Sequence, residues 1–378
     1  MTAKQTTASA SVALALVGVA GVAGIAHADP ADPNTPTTAP SASGATGKFQ
    51  VGVGYDTVDR WFATAQVSQA NLFGSGNTLS LVSGLSDLHQ MFRLDYVQPH
   101  AFDSDGVTLD TQLYDDRRAL PGLTRDMVGG TVTASTQLSQ HVRAYLGYRL
   151  ERVTGEVTGD DTVDPLARGT PGGPAVPAGD DWISAIRAGL EYDTRNSRVL
   201  PRRGDDLGVS VEYADPLLGS DLQLATLSAW AGTHRPLGPV TLHLEGSLTT
   251  LASGSVIPLA DRLWLIGPYD VRGFLPGSIT PLDAAGTPIG GTLELTGRAS
   301  LELPLGRTGV SLEGFYDYAR LADMSRPASL GGVAVATGMS VGTGIVWRSP
   351  LGPLRVDVAL PLVHGALPTL VFGIGTGF

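Results

Sequence analysis

The chain contains no cysteine, which removes a disulfide framework, a thiolate nucleophile and every Cys-ligated metal site from consideration. Lysine is almost missing too. Only Lys4 and Lys48 occur, every other cation is arginine, and the formal net charge is -11. An acidic chain without basic runs argues against nucleic acid as a partner, because phosphate binding needs clustered positive charge. Beyond Ala28 no apolar run approaches the ~20 residues of a transmembrane helix. The remainder of the chain is therefore either exported and soluble or crosses a membrane as β-strands. Glycine is abundant at 49 residues, which suits tight turns and closely packed strands better than helices.

The N-terminus reads as a targeting segment. Lys4 supplies a weak positive region, and Val12 to Ala26 is an unbroken run of Val, Ala, Leu, Ile and Gly. Ala26-His27-Ala28 then offers the small-x-small cleavage site of a secretory signal peptide. A membrane-anchoring helix would need a longer run. We therefore expect a signal peptide over 1–28. Residues 29–47 are rich in Pro, Thr, Ala and Ser without periodicity, as expected of a disordered tether. From Lys48 to Phe378 the chain reads as one unit.

That unit is β in pattern. In Leu293 to Leu303, Leu293, Leu295, Ala299, Leu301 and Leu303 oppose Glu294, Thr296, Arg298, Ser300 and Glu302. Val240, Leu242, Leu244 and Leu248 oppose Thr241, His243, Glu245 and Ser247. Val142 to Glu151 and Leu354 to Leu360 alternate in the same way, with Arg355 and Asp357 on the polar face of the latter. A period of two places such sets on opposite faces of a sheet. A soluble sandwich also alternates, but three details favour a membrane barrel. The polar faces carry ionised residues two apart, the strands are about 10 residues long, and Tyr and Trp (Trp61, Tyr96, Tyr148, Trp182, Tyr192, Tyr213, Trp230, Trp347) fall near segment ends.

Segments from Lys48 to Phe378 number about 16 at roughly 20 residues per strand plus connection. Turn signals such as Gly74-Ser75-Gly76-Asn77, Leu237-Gly238-Pro239 and Ser349-Pro350-Leu351-Gly352-Pro353 support the count. The strands between Phe62 and Asp116 alternate poorly. The chain ends on Leu370, Phe372, Ile374, Thr376 and Phe378, which share one face. A terminal aromatic closing an alternating strand is what outer-membrane barrels present for insertion.

Four blocks resemble the outer-membrane protein assembly family, the BamA/TamA-like bacterial surface antigens and their two-partner-secretion relatives. They are Gly189-Leu190-Glu191-Tyr192-Asp193-Thr194-Arg195 with Leu200-Pro201 and Gly204; Gly267-Pro268-Tyr269-Asp270-Val271-Arg272-Gly273-Phe274; Phe315-Tyr316-Asp317-Tyr318-Ala319; and Trp347 to Leu354. The resemblance implies that the loop bearing Val271, Arg272, Gly273 and Phe274 folds back into the lumen. It also implies that Arg272 meets an aspartate on strand 13, Asp317, and a glutamate on strand 12, Glu302, with Phe315 beside them. Phe372, Gly373, Ile374 and Phe378 would form the C-terminal insertion signal. Ile266 stands where the loop's first of two glycines usually lies, Ala319 replaces the strand motif's glycine, and Val371 and Thr376 depart from the usual choices in the last strand. Family insertases also carry periplasmic polypeptide-transport-associated domains, and only the tether precedes the barrel here.

Other motifs carry less. Gly338-Met339-Ser340-Val341-Gly342 matches the nucleophile elbow of serine hydrolases but lies in an alternating strand instead of a strand–turn–helix. Gly373, Gly375 and Gly377 form a strand face, not a phosphate loop. The seven histidines lack ligand spacing. Glu294 and Glu302 suit ion pairing better than acid–base chemistry, and Asp160-Asp161 and Asp180-Asp181 suit a solvated loop better than a divalent-cation site. The expectation is an all-β, 16-stranded antiparallel transmembrane outer-membrane barrel with an inward-folded long loop, without enzyme activity, cofactor or metal. Its expected role is helping to insert or translocate proteins, or lipids, at the bacterial outer membrane. The expected partners are outer-membrane lipids, unfolded or exported proteins and a separate periplasmic protein. The alternative is a passive pore or structural surface antigen.

Overall fold

A computed structural model describes residues 47–56, 60–104, 106–158, 176–198, 200–267, 270–283, 286–306, 308–325, 333–349 and 352–374. The expected signal peptide, nearly all of the tether, Asp160-Asp161 and Phe378 lie outside the described residues. The strands are β1 (Gly47–Asp56), β2 (Arg60–Gln69), β3 (Thr78–Ser86), β4 (His89–Gln98), β5 (Val107–Leu120), β6 (Leu123–Ser139), β7 (Val142–Val157), β8 (Asp180–Asp193), β9 (Gly204–Ala214), β10 (Leu224–Leu237), β11 (Val240–Ser253), β12 (Leu293–Pro304), β13 (Val310–Asp323), β14 (Ala334–Ser349), β15 (Gly352–Pro361) and β16 (Thr369–Ile374). They form one sheet in chain order, and each strand pairs antiparallel with the next, as in β12–β13 and β13–β14. The first strand begins at Gly47, one residue earlier than expected. β1 and β16 adjoin, but no ladder joins them among the described residues. The all-β antiparallel sheet is as expected, whereas a closed ring of sixteen strands is not seen among the described residues.

Polarity decides which face looks where. Leu146, Leu190, Val209, Val211, Leu301, Leu312, Ile345, Val356 and Val358 are exposed on the outside, while Arg143, Glu151, Glu302, Glu313, Asp317 and Asp357 are buried inside. A soluble domain would have this the other way round; lipid on the outside makes the arrangement favourable. The inward charges meet across strands. Arg143 Nη2 lies 2.5 Å from Glu191 Oε2 of β8, and Arg149 pairs with Glu212 of β9 as well as with Glu151 of its own strand. The aromatic positions divide. Trp61, Trp182, Tyr192, Tyr213 and Trp347 lie near strand ends and are exposed, whereas Tyr148 and Trp230 fall mid-strand.

Connections at one end are mostly tight turns. The other end carries the long β7–β8 and β11–β12 connections, which identifies the turn end as periplasmic and the loop end as extracellular. The apolar core lies inside the wall. The β11–β12 loop packs Leu265, Val271 and Ile279 on Ala319 and Leu321, and packs Leu259, Trp264 and Ile289 on Leu120 and Leu123. It holds its own shape through bridges at Leu263–Gly291, Ile266–Pro276 and Leu282–Pro288.

Candidate functional site

The loop reaches its depth because its backbone turns sharply at Gly267. The amides of Asp270 and Val271 both donate to the Gly267 carbonyl, at 3.0 and 2.8 Å. The turn aims Arg272 at the inner face of β13. There Arg272 Nε donates to Asp317 Oδ2 at 2.7 Å, Nη2 donates to Oδ1 at 2.8 Å, and the Arg272 amide donates to Oδ2 at 3.1 Å. This is a bidentate guanidinium–carboxylate pair with a main-chain bond added. Nη1 donates to Asp357 Oδ2 of β15 at 3.1 Å and lies 3.5 Å from Glu313 Oε1. The Phe315 ring lies under the guanidinium, 3.3 Å from Cζ to the ring centroid, a cation–π contact. Arg272 is 0% exposed. Burial opposes its charge, but the hydrogen bonds and field of Asp317 more than reverse this, raising its pKa above the ordinary arginine value.

Two more arginines complete the cluster. Arg298 Nε lies 3.3 Å from Asp317 Oδ1, and Arg355 Nη2 lies 3.2 Å from Glu313 Oε2. Three carboxylates, Asp317, Asp357 and Glu313, therefore face three guanidiniums, and the group is neutral overall. Such balance is what allows ions to sit away from water.

Glu302 is not part of this cluster, which corrects the expectation. The β12–β13 register sets Glu302 opposite Glu313 and Arg298 opposite Asp317. From 298 to 302 is four residues, or about 13 Å along the strand. Glu302 instead accepts from Arg348 Nη2 at 2.6 Å and lies 3.5 Å from His243 Nε2, near the turn end. The carboxylates that join Asp317 around Arg272 come from β13 and β15, not from β12.

The small residues around Arg272 are forced by close approach. Gly273 has φ 92°, and a Cβ there would sit 3.2 Å from Ala359 and from Pro361. On β14 a Cβ at Gly342 would lie 2.3 Å from Phe315 Cζ, one at Gly344 would lie 1.7 Å from Asp357 Oδ1, and one at Gly338 would lie 2.1 Å from Ile279 Cδ1. The Gly338–Gly342 block is thus the smooth wall against which the loop and its ion cluster rest. The motif that resembled a nucleophile elbow is strand throughout. Phe274 borders the apolar cluster of Val271, Ile279 and Ala319.

The loop has a second buried arginine that sequence reasoning missed. Arg262 donates to the Ile257 and Ile289 carbonyls at 2.9 and 3.2 Å and to Asp323 Oδ2 at 3.1 Å. Asp323 is six residues beyond Asp317 on the same strand, about 20 Å away. β13 therefore anchors the loop at two depths. The odd-numbered parity shared by Glu313, Asp317 and Asp323 was the available signal. At the C-terminus Val371 packs inward on Phe315 and Ala359, Thr369 Oγ1 donates to the Gly273 carbonyl at 3.4 Å, and Phe372, Gly373 and Ile374 complete β16.

An antiparallel sheet with an apolar exterior, a charged interior and a loop folded inward defines a transmembrane β-barrel of the bacterial outer membrane. A family model described as the Omp85 superfamily domain matches residues 71–378, and the chain belongs to the Omp85 superfamily. It is 26% identical over 352 residues to the outer membrane protein assembly factor BamA of Neorickettsia risticii, across 88% of this chain and 45% of that protein. It is 26% identical over 389 residues to the BamA of Neisseria meningitidis serogroup B, across 88% of this chain and 47% of that one. The chain thus spans less than half the length of these relatives. Among solved structures it is similar to BamA from Haemophilus ducreyi lacking POTRA domains 1-3, with a TM-score of 0.70 at 20% identity, covering 88% of this chain and 70% of that one. CdiB from Acinetobacter baumannii matches with a TM-score of 0.57 at 11% identity, covering 86% of this chain and 58% of that one. At these identities the structural likeness speaks to the fold.

Proposed function

We propose that this barrel assists the insertion or translocation of proteins at the outer membrane, by a non-enzymatic mechanism. The observation that carries the reading is the lumen loop held by Arg272 between β13 and β15 and tied at Gly273 to β16. A passive pore has no need of a neutral cluster of six ions that fixes a loop beside the sheet's last strand. Relatives named as assembly factors support the same reading.

In this mechanism the edges of β1 and β16, which adjoin, separate laterally. Each strand then offers unpaired N–H and C=O groups to an incoming substrate strand, and pairing extends the sheet by β-augmentation. Arg272 keeps the loop ordered so that the lumen wall behind the seam stays rigid while the seam moves. The substrates are unfolded or exported polypeptides, and the surrounding lipid receives them. A quantitative outer-membrane proteome tests this in cells depleted of the protein and in cells carrying Arg272→Ala. Selective loss of other barrels or exported proteins in both strains is expected. An unchanged proteome, with the variant present in the outer membrane, overturns the reading and leaves a pore or surface antigen.

A further inference from the structure

The β2–β3 and β4–β5 connections at the periplasmic end share an unusual feature. Each contains a single 3-10 turn, Leu72–Gly74 and Ala101–Asp103, with phenylalanine at its centre. Phe73 has φ 50° and ψ 28°, and Phe102 has φ 57° and ψ 33°. That left-handed conformation suits glycine or asparagine, and a bulky side chain there is a true outlier. Protein packing does not explain it, since Phe73 is 98% exposed and Phe102 is 77% exposed. In an aqueous turn both the backbone strain and the aromatic exposure would be unfavourable.

The wall beside them is lipid-facing. Its outer face carries an apolar band, with Leu81, Leu85, Phe92, Leu94 and Leu113 exposed and Ser83 and Gln90 on the same face. Toward the turn end the band reaches Tyr96, whose hydroxyl accepts from Asn77 Nδ2 at 2.8 Å. Asn77 closes the Phe73 turn, because its carbonyl accepts from the Leu72 amide at 2.8 Å. The turn is therefore fastened to an outward tyrosine, the residue type that marks the headgroup level of a bilayer. β2, β3 and β4 are 10, 9 and 10 residues long, just enough for a tilted span of the hydrocarbon layer. Their turns begin where the apolar band ends. The two turns are separated by two strand spacings, about 10 Å. Phe73 is flanked by Leu72 and Gly74, and Phe102 by Ala101 and Asp103.

We propose that Phe73 and Phe102 are a paired lipid anchor, inserted into the headgroup–acyl boundary of the periplasmic leaflet of the outer membrane. In this arrangement the two rings continue the lipid-facing band past the ends of the strands. The anchor fixes the depth at which the β2–β5 wall rides in the bilayer.

The cysteine-free sequence allows a direct test. Phe73→Cys, Phe102→Cys, Ser75→Cys and Leu113→Cys are made singly in the full chain, spin-labelled and reconstituted into phosphatidylethanolamine–phosphatidylglycerol vesicles. Collision rates with oxygen and with a water-soluble nickel chelate are then compared. At 73 and 102 the oxygen-to-nickel ratio is expected to exceed that at Ser75 several-fold and to approach that at the lipid-facing Leu113. A ratio equal to that at Ser75 overturns the proposal. Protection from nickel that arises only after periplasmic extract is added also overturns it, in favour of a polypeptide partner. Should a cysteine variant fail to show the heat-modifiable migration of a folded barrel, Phe73→Trp and Phe102→Trp supply the second readout. Quenching of the added emission by brominated phospholipid is expected, and its absence overturns the proposal.

Discussion

Arg272 neutralises one of three inward carboxylates whose other counter-charges are Arg298 and Arg355. Arg272→Ala leaves one negative charge buried without compensation, which costs about 3–5 kcal/mol. Denaturant unfolding of the detergent-folded protein should show a loss of that size. Arg272→Lys should fall between the two, because an ammonium keeps the charge and loses the bidentate geometry. Asp317→Asn should open the loop to limited proteolysis, whereas Glu302→Gln should leave it protected, since Glu302 serves Arg348 instead. Asp261 gives a pH-dependent effect. Burial, followed by the neighbouring Asp181 charge, pushes its carboxyl up to about 7, against the opposing fields of Arg125 and Arg149. The native protein therefore holds that proton where the unfolded chain has lost it. The resulting stabilisation is complete below pH ~4, the ordinary carboxyl range, and is lost as pH rises through about 7. Unfolding midpoints should fall between about pH 4 and pH 7, and Asp261→Asn should flatten that part of the profile. An equally steep profile in the variant would remove Asp261 as the cause.

At the scale of elements, β14 shows how a strand is shaped by what packs on it. Its inward glycines make room for Ile279, Phe315 and the Asp357 carboxylate. Gly338→Val or Gly344→Ala overpacks that wall and should cost roughly 1–3 kcal/mol. Gly314→Ala on the neighbouring strand should be near neutral, because a Cβ there meets nothing within 4 Å. Chemical denaturation of the three variants separates the cases. The same elements show what a sequence can reveal. Leu293 to Leu303 alternates cleanly and is β12, and Val142 to Glu151 lies within β7. β2 to β4 are obscure in sequence because their outward faces carry Ala63, Ala65, Ser83 and Gln90 while Phe62, Val82 and Met91 turn inward. Contrast between the faces is weak there. Asp317 and Phe315 are legible as inward residues of one strand. Asp357 is legible as polar, but its place beside Arg272 is not. That contact depends on how β13, β14 and β15 stagger, which no local pattern encodes. The expected pairing of Glu302 with Arg272 fails because the β12–β13 register sets Arg298, not Glu302, opposite Asp317.

Across the whole molecule, the long loop fills the lumen side, is anchored along β13 at Arg262 and Arg272 and touches β16 through Thr369, while β1 and β16 adjoin through their edges. The loop is thus heavily fastened from inside, and the β1–β16 seam rests on edge contacts. In the proposed mechanism the seam moves: opening at β1 and β16 admits substrate strands. The most direct measurement uses paired cysteines, one on β1 and one on β16, introduced into a chain that has none of its own. The protein is reconstituted into vesicles, and insertion of an unfolded outer-membrane barrel is followed with the disulfide closed and then reduced. Insertion should stop when the seam is locked and return on reduction. Insertion at the same rate in both states would contradict lateral opening.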